Sequence, residues 1–151
     1  MKKATATRNA NGKLAGFIDG VECCTFDGPN KGATLATVWL LAFKLGDEEV
    51  EPDIDKCDGD VVVEYAHFES EMQVVTDEGE TRGELRKVFD EVTAGLPHWK
   101  DPIVCRVKRK YVDKAVRAIE FFVGGPTMRE TPKYGEGVIL RNAGYYVNIG
   151  A

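Results

Sequence analysis

The sequence predicts a single α+β domain in which a mixed, largely antiparallel sheet is packed by three helices. Two hairpin dipeptides near the N-terminus predict that the chain opens with three antiparallel strands. Apolar residues at helical spacing then recur in three later stretches. The 151 residues contain no internal repeat, low-complexity tract or linker that would divide them, so residues 1–151 are expected to form one domain.

The N-terminal meander depends on Asn11-Gly12 and Asp19-Gly20, dipeptides that are favoured in two-residue turns between antiparallel strands. They separate strand-like segments at residues 3–9, 13–18 and 21–26. The first segment is rich in alanine and threonine and poor in larger apolar side chains, so we expect it at an edge of the sheet. A tight second turn places Ile18 opposite Val21, Phe17 opposite Glu22, and Gly16 opposite Cys23.

Three helices are predicted, at residues 34–45, 82–96 and 112–123. The first is apolar on nearly every side, with Thr34 as its cap and Gly46 just past its end, so we expect it to lie buried across the sheet. The second begins at a capping box formed by Thr81 and Glu84. The third follows a strand at residues 103–108 and ends at a glycine pair followed by proline. The expected core residues are Val38, Trp39, Leu41, Phe89, Val92, Ile119 and Phe122.

Residues 60–76 have two interpretations. The run Val61-Val62-Val63 is typical of a strand, so we favour strand, turn and strand. The alternative is a helix, because further apolar residues recur at helical spacing, namely Tyr65, Phe68, Met72 and Val75. Residues 27–32 and 47–60 are expected to be loops, and the last strands are expected at residues 138–141 and 145–149.

Composition restricts the function classes. The net charge is −5, which disfavours general attraction to nucleic acid or to an anionic membrane surface. The longest apolar stretch is too short to span a bilayer, and the N-terminal lysines precede no apolar run that would mark a secretory signal. We therefore expect a cytoplasmic protein that does not enter the membrane.

The four cysteines show no CxxC pair, so the sequence favours reduced, buried thiols. Adjacent Cys23 and Cys24 are expected to point to opposite faces of one strand. A zinc site is a weaker interpretation, since structural zinc sites normally contain closely spaced ligand pairs. A thiol nucleophile paired with His67 is weaker still. The residues available for zinc are Cys23 or Cys24, Cys57 and Cys105, with His67 or His98.

Charge is distributed unevenly along the chain. Residues 47–60 hold eight acids and one lysine, whereas residues 106–117 hold six bases and one acid. We predict that the basic joint between strand and third helix is a binding surface, since concentrated cations bind phosphate, nucleic acid or acidic protein. The alternative is a solvated face that balances the protein's own acidic stretch. The predicted binding residues are Arg106, Lys108, Arg109 and Lys110.

The order of the predicted elements is similar to that of the ribonuclease H-like fold, and residues 107–115 resemble the strand-to-helix junction that ends it. That resemblance would imply two-metal cleavage, which needs carboxylates that converge on ions about 4 Å apart. The first predicted strand has no aspartate, the first helix has no glutamate, and Asp19 falls in a turn. The resemblance therefore supplies no catalytic residues.

The sequence thus predicts a non-catalytic, intracellular binding or regulatory protein that acts through protein–protein interaction, with no cofactor and no resident metal. Its partner is expected to be another protein or a second copy of itself. A minor version of this protein-interaction hypothesis is that the acidic residues imitate the phosphates of nucleic acid and so block a DNA-binding partner. The alternative class is an enzyme acting on a phosphate-bearing substrate, or a nucleic-acid-binding protein, with a ribonuclease H-like core.

Overall fold

The computed structural model describes residues 1–27, 29–71, 103–122 and 126–142. This part of the chain has the predicted α+β fold, with a mixed seven-stranded sheet in the order β4-β1-β2-β3-β5-β7-β6. The strands are β1 (Lys2–Arg8), β2 (Leu14–Ile18), β3 (Val21–Phe26), β4 (Val50–Pro52), β5 (Ile103–Val107), β6 (Thr127–Glu130) and β7 (Val138–Asn142). The helices are α1 (Pro29–Gly46), α2 (Gly59–Glu71) and α3 (Val112–Phe122), with 3₁₀ turns at Ile54–Lys56 and Arg109–Tyr111.

The N-terminal meander is confirmed, and its register differs from the prediction at one residue. Ile18 pairs with Val21 and Phe17 with Glu22, but Gly16 pairs with Cys24 because a β-bulge lies beside it. The extra residue, Cys23, is therefore buried together with Cys24. The bulge interrupts the regular alternation on which the prediction of opposite faces was based.

The prediction that the first strand lies at an edge is also wrong. The N-terminal half of β1 pairs in parallel with β4, which is the edge strand. β4 has only three residues and lies in the stretch predicted as an acidic loop, so its pattern is too short to be recognised. Pro52 suits this outer position because an edge strand can lack a ladder N–H.

Helix α1 is buried against the sheet as predicted, but it begins at Pro29 rather than Thr34. Proline is favourable at a first helical position, where its missing N–H needs no partner. Trp39 is buried and lies directly on β2, where a Cβ on Gly16 would be 2.9 Å from its Nε1 atom. Among the predicted core residues within the described ranges, burial is confirmed for Val38, Trp39, Leu41 and Ile119.

The strand predicted at the start of residues 60–76 is wrong, because residues 59–71 form α2. The backbone N–H of Asp60 donates to Oδ1 of Asp58, which gives the helix an N-terminal cap. Val61 is fully buried, whereas Val63 is 69% exposed. Side chains two residues apart would share one face of a strand, so this difference in burial is that of a helix. Capping and packing against α1 therefore override the β-propensity of the valine run.

The strand and helix predicted at 103–108 and 112–123 are confirmed as β5 and α3. Strand β7 confirms the strand predicted at 138–141. It pairs with β6, a strand that was not predicted from the sequence. No helix within the described ranges is both long and apolar enough to cross a membrane. The predicted elements that lie outside the described residues are the helix at 82–96 with Phe89 and Val92, the strand at 145–149, residues 72–76 and the side chain of Phe122.

Candidate binding surface

The four predicted binding residues, which we call the basic segment (Arg106, Lys108, Arg109 and Lys110), lie where β5 passes into α3. All four side chains are exposed. Cys105 and Val107 are buried beneath α1 and α3, so Arg106 between them projects from the opposite face of the sheet. Arg109 and Lys110 lie in the 3₁₀ turn that follows the strand, and Lys108 immediately precedes that turn.

The backbone of the basic segment is fixed by contacts with the core. The N–H of Lys108 donates to the carbonyl oxygen of Cys23 at 2.7 Å, and the N–H of Tyr111 donates to the carbonyl oxygen of Lys108 at 2.9 Å. The Tyr111 ring meets the Trp39 ring edge to face, with 6.3 Å between centroids. Its hydroxyl lies near the Cys23 thiol, which itself donates to the carbonyl oxygen of Val21 at 3.2 Å. Lys108, Arg109 and Lys110 therefore extend from a turn whose position is set by Tyr111 and the β-bulge.

The electrostatics of this joint keep Cys23 a neutral thiol. Burial raises its pKa, and the nearby Tyr111 hydroxyl and the positive charges of Lys108 and Lys110 only partly oppose that effect. The pKa of Tyr111 is raised as well, first by desolvation and then by the nearby Cys23. Neither group is prepared for nucleophilic chemistry, which would need a lowered pKa.

The basic segment has no carboxylate partner within 4 Å in the part of the chain that the structure describes. The acidic stretch at 47–60, by contrast, pairs with its own Lys56 and with three bases from elsewhere. These pairs are Lys3 with Glu51, Arg8 with Asp58 at 3.6 Å, Lys56 with Asp53 at 3.7 Å, and Lys114 with Asp47 at 3.4 Å. Within the described residues, the four cations are therefore not used to balance the acidic stretch.

Lys114 belongs to the same basic run in sequence but has a different position. Its side chain is largely buried, and its Nζ lies 3.4 Å from Oδ2 of Asp47 and 4.4 Å from the centroid of the Phe43 ring. This cation joins α3 to the C-terminal end of α1. It is thus a structural residue and provides a comparison for the four exposed cations.

The loop between β6 and β7 lies against the basic segment, which the sequence analysis missed. A Cβ on Gly135 would be 2.5 Å from Nη1 of Arg106, and one on Gly137 would be 2.7 Å from the carbonyl oxygen of Val107. Both glycines have positive φ, +82° and +97°, so their backbone conformation also disfavours other residues. In the sequence, only the pair of glycines in Gly135-Glu136-Gly137 could have indicated that the backbone approaches another segment closely here.

Other candidate chemistry is not assembled in the described residues. Burial raises the pKa of all four thiols, that of Cys24 well above its ordinary value and that of Cys105 to about 12. No group of three or more histidine, cysteine or acidic side chains in those ranges is placed to hold a metal ion. His67 lies on α2 rather than on the expected strand, and His98 is outside the described residues.

The chain was compared with protein-family models, curated proteins and solved structures, and none matches.

Proposed function

We propose that the protein is a non-catalytic binding protein that recognises an acidic surface of a partner protein through the basic segment. The observation that carries this proposal is that four exposed cations, Arg106 on β5 and three at the turn that follows it, have no carboxylate partner among the described residues. Their backbone is held by the sheet and by Tyr111 before any partner arrives, so binding does not need to order it.

The overall charge supports a protein partner rather than nucleic acid. A net charge of −5 repels a long polyanion at a distance, whereas a local acidic patch interacts mainly with the nearest cations. Complementary charges of this kind speed association and set the orientation of two proteins. We expect the association rate to fall with added salt more steeply than the dissociation rate rises.

The test compares two triple variants that remove equal charge. The first changes Lys108, Arg109 and Lys110 to Ala, and the second changes three other exposed lysines, namely Lys2, Lys13 and Lys56. Affinity capture from an extract treated with nuclease should lose partner proteins only with the first variant. Thermal melting should show that both variants are folded.

A further variant, in which Arg106 is also changed to Ala, extends the test to the whole basic segment. Identical protein partners for the folded quadruple variant and the unaltered chain would exclude this surface. Capture that disappears on nuclease treatment would instead indicate a nucleic-acid partner. For the enzyme alternative, a large rise in melting temperature with magnesium or manganese would count against the non-catalytic assignment.

A further inference from the structure

We propose that Tyr134 is the apolar anchor of the surface formed by the basic segment, and that the partner presents an acidic polypeptide segment carrying a large apolar side chain. This inference rests on the proposed function and identifies the chemistry of the partner. It is based on the loop between β6 and β7, whose position is fixed by Arg106 and β5.

Close contacts hold that loop beside the basic segment. At Gly135 the Arg106 guanidinium occupies the space in which a side chain would lie, and at Gly137 the carbonyl oxygen of Val107 does the same. Tyr134 immediately precedes Gly135, so its Cα lies about 3.8 Å from that of Gly135. The Tyr134 ring is therefore on the order of 10 Å from the Arg106 guanidinium, allowing for the length of its side chain.

Tyr134 is unusually exposed for an aromatic residue, at 76%. The Nζ atom of Lys133 lies 5.7 Å from the centroid of its ring, which is within the range of a cation–π contact. Single exposed apolar residues are common on protein surfaces and by themselves indicate nothing. Here the ring belongs to the loop that packs against Arg106, one of the four cations that have no carboxylate partner in the described ranges, so it lies at the edge of the basic segment.

The loop contributes the ring rather than additional charge. Lys133 and Glu136 are both exposed and have opposite charges, so together they leave the net charge of the loop at zero. Binding of a polyphosphate would bring further negative charge towards Glu136. An acidic peptide can place its carboxylates over the basic segment and a neutral side chain over Tyr134, which avoids that repulsion.

Tyrosine and arginine are the residue types most enriched among those that dominate binding energy at protein interfaces. Alternate side chains of an extended peptide lie on one face about 6.8 Å apart. A partner side chain two residues from a glutamate or aspartate can therefore reach Tyr134 while the carboxylate contacts Arg106. This spacing suits a phenylalanine or leucine flanked by acids.

The experiment uses fluorescent peptides and the full chain. The first probe is an acidic peptide of Glu and Ser with one central Phe, and the second has Ser in place of that Phe. We expect Tyr134→Ala to weaken binding of the first probe about tenfold and to leave the second unchanged. Tyr134→Phe should retain binding of the first probe, because the proposal requires the ring and not the hydroxyl.

The outcomes separate this inference from the proposed function. If the Lys108, Arg109 and Lys110 triple variant loses both probes while Tyr134→Ala loses neither, the proposed function stands and the anchor is refuted. If the unaltered chain binds neither probe at about 1 mM, both are refuted for peptides of this class. Tighter binding of an oligothymidine of the same length, lost with Tyr134→Ala, would mean that the surface stacks nucleic-acid bases instead.

Discussion

Glu64 provides a quantitative test of the packing between α1 and α2. This carboxyl group lies against α1 beside Thr34 and Thr37, and the Thr37 hydroxyl donates its proton to the carbonyl oxygen of Ala33 at 2.9 Å. Its Oε2 atom is buried and has no hydrogen-bond partner among the described residues. Its pKa is raised from 4.5 to about 7, chiefly by desolvation and to a lesser degree by the nearby charge of Asp60, while Thr34 partly opposes the rise.

The raised pKa makes stability depend on pH with a definite sign. Below about pH 4.5 the group is protonated in both the folded and the unfolded chain, so its ionisation costs nothing. As the pH rises to about 7 the unfolded chain loses this proton before the folded chain does, and the free energy of unfolding falls. Above that pH the ionised group is present in both states, and the full cost applies.

The size of the effect follows from the same pKa. A rise from 4.5 to about 7 corresponds to at most about 3.5 kcal/mol, since one pKa unit is about 1.4 kcal/mol. The side chain is only partly buried, so solvent screening reduces this to about 1–2 kcal/mol. Glu64→Gln removes the ionisation and should raise the free energy of unfolding by that amount at about pH 8.5, with little change at about pH 4.5.

Urea denaturation followed by tryptophan fluorescence measures these free energies at several pH values. The quantity of interest is the difference between the variant and the unaltered chain, because other groups also titrate. Glu48→Gln, at an exposed carboxylate, is the control for the loss of one charge and should give a difference that stays within about 0.5 kcal/mol. A Glu64→Gln difference that is equally independent of pH would refute the burial argument.

Three further predictions concern the core and the thiols. Gly16→Ala should lower stability by about 1–3 kcal/mol, measured by denaturation, because the new Cβ would be 2.9 Å from Nε1 of Trp39; an unchanged stability would contradict this contact. Iodoacetamide followed by mass spectrometry should modify half-buried Cys57 before the other, fully buried cysteines, and the reverse order would contradict their burial. Lys114→Ala should lower stability by about 1 kcal/mol, because its contacts with Asp47 and with the Phe43 ring are lost. Partner binding should be unchanged, and weaker binding by the folded variant would place Lys114 in the binding surface.

The sequence was sufficient for features that depend on neighbouring residues. The two turns of the meander could be predicted because their dipeptides supply positive φ locally, at +49° and +79° for Asp19 and Gly20 and at +76° for Gly12. The basic segment could be found because its four cations are nearly consecutive. Helix α2 was only the alternative interpretation of residues 60–76, because the valine run favours a strand and the cap that Asp58 provides acts against it.

Features that depend on contacts between distant residues could not be predicted. The pairing of β4 with β1 joins residues about 50 positions apart, and three residues carry no recognisable pattern. The loop beside Arg106 is likewise positioned through the pairing of β5 with β7. The position of Tyr134 near the basic segment could not be predicted, because it depends on the contact between Gly135 and Arg106.

The β-bulge at Cys23 connects the core to the proposed binding surface. In a regular ladder Cys23 would take the place opposite Gly16, and its neighbour Cys24 would face the other side of the sheet. With the bulge, Cys24 takes that place, while the Cys23 carbonyl accepts the Lys108 N–H and its thiol meets Tyr111. The contacts that fix the basic segment thus depend on one extra residue in β3. Deleting Cys23 should therefore weaken partner binding even in a chain that still folds.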